Sequence, residues 1–185
     1  MRSNKFMLTC AIVICLVFGQ AVFAHELSSF GSESLGYKYS GYHWSDKYTT
    51  YFEATDDYWE DIFQQGATKF KNGTDLDFGI SQVSVGSSSN FIEAINASSS
   101  TWVALCTSYN IQNQHPERWR IQFNTKYKAD YTESQWVTVA AHEIGHVFGL
   151  ADLYDSTNKD KLMYGYAGTT RNVTTADNTG FNKIY

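Results

Sequence analysis

Residues 132–152 constrain the fold more than any other stretch of the chain. Thr132-Glu133-Ser134-Gln135 has the spacing of a capping box, which satisfies free amides in a first helical turn. Val137, Ala140, Ala141, Ile144 and Phe148 then recur at helical spacing and predict one apolar stripe. His142 and His146 are four residues apart, so they share a face roughly opposite that stripe. Gly149 stands where a left-handed helix stop is needed. The segment therefore predicts a helix with one side in a core, two imidazoles on the other, and a sharp turn after it.

His142-Glu143-Ile144-Gly145-His146 is the pattern in which two histidines hold zinc and the intervening Glu acts as general base. A catalytic zinc keeps three protein ligands and a water. The third ligand is expected beyond the helix. Asp152 is the candidate, because Gly149 lets the chain turn back toward the metal. The metal set is thus His142, His146 and Asp152, with Glu143 catalytic and one zinc ion as cofactor.

The string His-Glu-x-x-His-x-x-Gly-x-x-Asp resembles the metzincin zinc peptidases, whose usual motif ends in a third His. The surroundings resemble the matrixin-type branch most: Ile121 to Asn124 before the helix, Ala141 to Leu150 through it, Leu162-Met163-Tyr164-Gly165 after it, and Val173 to Tyr185 as a closing helix. Asp in the third position is similar to the snapalysin-like metzincins. The resemblance is specific over the last third of the chain. It implies an α+β zincin fold, a twisted mixed sheet with an active-site helix and a C-terminal helix. It also implies a cleft over that sheet and a Met turn beneath the metal, with Met163 matching that Met. Tyr164 and Tyr166 do not match the spacing of the family's metal-approaching Tyr and carry no assignment. No clustered His/Asp set for a structural zinc and no calcium loop of known spacing is visible. His25, His43 and His115 are scattered and read as surface or loop residues, and Asp75, Asp77 and Asp155 as solvated loop charges.

The first 24 residues read as a secretory signal peptide: Arg2 and Lys5, an apolar run from Phe6 to Phe18, and a Val22-Phe23-Ala24 cleavage site. The run is short for a membrane span. Its removal takes two of 14 basic residues and none of 19 acidic ones, so the net charge falls from −5 to −7. No basic patch appears, which argues against nucleic acid and anionic membrane as partners. Cys10 and Cys15 leave with the signal, so Cys106 has no partner for an intramolecular disulfide and reads as a small buried hydrophobe.

Residues 25–34 are polar and small and read as a flexible N-terminus, with residues 35–185 as one catalytic domain. Strands are expected around Tyr37, Thr49 to Phe52, Asp77 to Val83, Trp102 to Thr107 and Trp119 to Phe123. The last alternates cleanly and predicts one wet face. A helix is expected from Asp57, with Glu60 as its capping partner, Trp59, Ile62, Phe63 and Phe70 as its apolar face, and its end at Lys71-Asn72-Gly73. The expected function is a secreted, extracellular, monomeric zinc endopeptidase acting on protein or peptide, its zinc-bound water activated by Glu143. The alternative is a secreted zinc-binding module without turnover, against which the retained Glu143 argues.

Overall fold

The computed structural model describes residues 30–185. The signal segment, residues 25–29 and His25 with them, lie outside the described residues.

Chain order runs β1 (Gly31–Ser32), β2 (Tyr37–Lys38), β3 (Tyr48–Ala54), α1 (Asp57–Gly73), β4 (Gly79–Gln82), β5 (Phe91–Ile95), β6 (Ala104–Tyr109), β7 (Arg118–Asn124), α2 (Glu133–Val147) and α3 (Thr175–Ile184). Five strands form one sheet in the order β4-β3-β5-β7-β6. All neighbours run parallel except β6, which pairs antiparallel with β7 from Ala104↔Phe123 to Tyr109↔Arg118. The fold is the expected α+β arrangement. One consequence matters for function: β6 is an edge strand, so half of its main-chain groups have no strand partner.

The core lies between this sheet and helices α1 and α2. Trp59 of α1 stacks on Phe123 of β7 at 5.2 Å and meets Trp136 of α2 edge-on at 4.8 Å. All three are fully buried, and each such burial is worth roughly 1.5–3 kcal/mol in apolar transfer. Ile62, Phe63 and Phe70 of α1 are buried as their spacing predicts. The helices approach closely at Gly66, where a Cβ would run into Ala140 of α2. The cap of α1 falls one residue earlier than expected. Asp56, not Asp57, accepts from the Trp59 amide, and Glu60 plays no capping part.

Three other sequence expectations are corrected, and one strand is added. β5 was not foreseen, because Phe91-Ile92-Glu93-Ala94-Ile95 shows no clean alternation between its Ser-rich flanks. The polar face of β7 is wet only at its start, where Arg118 is exposed and Arg120 half-buried. Gln122 and Asn124 are buried because β7 lies inside the sheet. Gln122 donates to Glu93, while Asn124 donates to the Ala97 and Trp102 carbonyls. Residues 31–34 are not loose. β1 pairs with β2, and the Glu33 carboxylate accepts from the Tyr154 and Asp155 amides and the Asn158 side chain. His43 is no surface residue: it is 1% exposed, with its ring edge against Tyr185.

Candidate metal centre and cleft

Helix α2 is held at its start by the full capping box. Thr132 Oγ1 accepts from the Gln135 amide, and Gln135 Oε1 accepts from the Thr132 amide. The helix is buried on more than the expected stripe, since Trp136, Val139 and Val147 join the core as well. It ends at Gly149, which takes φ +102°, where a Cβ would press on His43. The chain then doubles back. Ser40 donates to the Gly149 carbonyl and Ala151 donates to the Lys38 carbonyl, so β2 and its extension pin the turn. That turn delivers Asp152.

Three side chains converge there. His142 Nε2 lies 3.0 Å from Asp152 Oδ1, His146 Nε2 lies 3.5 Å from the same oxygen, and the two Nε2 atoms are 3.1 Å apart. Among the described residues, this is the one group of three or more His, Cys, Asp or Glu close enough to share a metal ion. The other ring nitrogens decide its chemistry. His142 Nδ1 is 2.9 Å from the Leu162 carbonyl, and His146 Nδ1 is 2.7 Å from the Leu150 carbonyl. A carbonyl only accepts, so each Nδ1 carries the proton and each neutral Nε2 presents a lone pair. Two lone pairs and a carboxylate then face one another with no donor between them. A cation relieves that arrangement, either a proton on one ring or a metal ion shared by all three, and an N₂O set suits zinc.

A proton is the alternative to a metal, and the electrostatics show the demand for one. Burial pushes His146 down, but the Asp152 hydrogen bond, the Glu143 and Asp152 charges and the Leu150 carbonyl outweigh it and raise His146 to about 9. Burial alone would raise Asp152, yet its bonds to the two imidazoles hold it well below the usual carboxylate range.

Glu143 sits on the same helix between the histidines and is 6% exposed. Burial pushes its carboxyl up, the neighbouring imidazoles oppose this, and the Cys106 amide of β6 donates to it. Cys106 is therefore more than core filler: it joins the edge strand to the centre, and burial pushes its thiol far up, leaving it protonated.

The floor is a turn around Met163. Met163 is fully buried, and a Cβ on Gly145 would run into its Sδ. Leu153 donates to the Met163 carbonyl, and Gly165 donates to the Leu153 carbonyl, which stitches this turn to the Asp152 segment. Asp177, inside the capping box of α3, accepts from the Leu162 amide. The closing helix thereby holds the residue whose carbonyl orients His142.

The group opens into a cleft of about 670 Å³ between the β6 edge, α2 and residues 164–171. Tyr154, Tyr164 and Tyr166 line it, and Tyr154 Oη donates to Asp152 Oδ2. Sequence reasoning left Tyr164 and Tyr166 unassigned and missed Tyr154, whose i+2 relation to Asp152 lies in an irregular segment without periodicity. Asp155 is not part of the group; its carboxylate accepts from Thr157. No helix among the described residues is long and apolar enough to cross a membrane.

Fold and site together define a zinc metallopeptidase of the metzincin type. The matrixin family profile matches residues 43–185, and the chain belongs to that family. Among solved structures, one of myroilysin is similar over 79% of this chain and 86% of its own, with 11% identity and a TM-score of 0.53. A second myroilysin structure aligns over 75% of this chain and 92% of its own, with 12% identity and a TM-score of 0.48. No curated protein matches the chain in sequence.

Proposed function

We propose that the chain is a secreted endopeptidase in which His142, His146 and Asp152 hold one zinc ion and Glu143 is the general base. The observation that carries this reading is the convergence of the Asp152 carboxylate with two imidazoles whose tautomers are set by backbone carbonyls, beside a buried carboxylate at the foot of an open cleft. When bound, zinc supplies the Lewis acid that polarises a scissile carbonyl and acidifies a water. Glu143 takes the proton from the attacking water and returns it to the leaving amine. Its burial suits it to hold that proton between the two steps. The Leu162 and Leu150 carbonyls keep both imidazoles aimed.

The substrate lies extended along the free edge of β6, where main-chain pairing accepts many sequences. Export follows from the leader at residues 1–24, and the acidic charge keeps nucleic acid from being a partner. The deciding experiment measures zinc content and peptide-library cleavage for residues 25–185 and for Glu143→Ala. The expected result is equal zinc in both proteins and a rate loss on the order of 10²–10⁴ in the variant. Zinc binding without cleavage by either protein would favour a binding module instead.

A further inference from the structure

Arg171 is 7% exposed and stands between the metal cleft and a neighbouring cavity that Lys159 and Asp160 also line, yet among the described residues no carboxylate lies within ion-pair distance of it. Its Nε donates to the Lys159 carbonyl at 2.7 Å, and its guanidinium carbon sits 5.1 Å from the Tyr164 ring centroid. The hydrogen bonds among the described residues engage Nε alone, leaving the terminal amino groups for another acceptor. Burying a guanidinium without a counter-charge is costly, and that burial pushes its pKa down. The backbone is fixed: the Arg171 amide donates to Thr138 Oγ1 at 3.2 Å. Thr138 lies one helical turn before His142, so the cation is tied to the same helix as the metal group.

We propose that Arg171 is a specificity residue that receives a carboxylate side chain, Asp or Glu, from a substrate residue flanking the scissile bond. This rests on the peptidase reading above and adds the substrate class to it. A planar fork offering two parallel N–H groups matches a carboxylate. The Tyr164 face steadies the cation while the pocket is empty and gives no competing charge. A neutral side chain of the same shape leaves the guanidinium unpaired, so discrimination arises from the cost of that unpaired charge.

The test compares matched peptides with Glu, Gln or Leu on either side of one cleavable bond. With the zinc-loaded parent, Glu is expected to exceed Gln by about tenfold or more in kcat/KM at one of the two positions. The preference should shrink in Arg171→Met and persist in part in Arg171→Lys, with each variant's thermal melt confirming that it folds. A Glu-to-Gln ratio near one at both positions in the parent overturns the proposal while leaving the peptidase reading intact. A second arm needs no turnover: Glu143→Ala is titrated with the same peptides by calorimetry, and the Glu peptide should bind about tenfold tighter than the Gln peptide. Equal binding there also overturns it, even if no peptide is ever cleaved. A third arm uses Leu peptides ending in a free carboxylate or an amide next to the bond. A gain confined to the free terminus would assign Arg171 to chain ends and overturn the side-chain assignment.

Discussion

Tyr154 Oη donates to Asp152 Oδ2 across 3.0 Å, while Oδ1 of the same carboxylate faces both imidazoles. One oxygen thus faces the two imidazoles while the other is tied to a neighbour. Burial and the Asp152 charge push the Tyr154 hydroxyl up to about 12, so it stays protonated and donates. Such partners orient ligands, and their loss typically costs 10–100-fold in metal affinity. Tyr154→Phe is expected to weaken zinc binding by about tenfold, read by competition with a chromogenic chelator. Unchanged affinity would show that the Asp152 carboxylate is held without Tyr154.

Asp152→Ala removes one of three converging donors and should lower zinc affinity on the order of 10²-fold or more, with activity falling alongside. Asp155→Ala is the matched control. Its carboxylate caps the short turn at residues 156–158 and lies outside the group, so zinc affinity should stay close to the parent's. Reversal of the two outcomes would move the third ligand to Asp155.

The α2 segment was legible because its signals are local: a cap, a stripe, two histidines at i and i+4, and a glycine stop. What escaped was set by distant neighbours. Gln122 reads as a solvent-facing residue until β5 and β6 are known to flank its strand and Glu93 to receive its amide. Glu33 reads as part of a polar tail, yet it bridges 121 residues to accept from Tyr154. Arg171 gave no signal either, because its burial depends on how residues 164–171 fold against Thr138.

Gly145 is one of the two unspecified positions inside the His-Glu-x-x-His string, and its hydrogen makes room for Met163. Gly145→Ala would be favoured by helix propensity alone, by about 1 kcal/mol. Contact with the buried Met163 sulfur opposes this, since overpacking costs typically 1–3 kcal/mol. Net destabilisation in denaturant unfolding is therefore expected, and Met163→Ala in the same chain should recover part of it. Additive single and double variants would mean that the two residues do not press on one another.

Glu53 of β3 lies beside Glu60 of α1, with Asp57 near, and its Oε2 is buried without a hydrogen-bond partner. Burial, then the hydrogen bond and charge of Glu60, then the charge of Asp57, push Glu53 from 4.5 up to about 7. Between those two values the folded carboxyl holds a proton that the unfolded one has released. Stability from this group is therefore fully present below about 4.5 and is lost as pH rises through about 7. Glu53→Gln keeps the shape and removes the titration. The melting temperature of the variant should exceed the parent's at pH 8, and the difference should narrow toward pH 5. Comparing the two proteins at each pH cancels the loss of metal on acidification, which both share. A difference that stays constant across that range would show that Glu53 does not hold that proton.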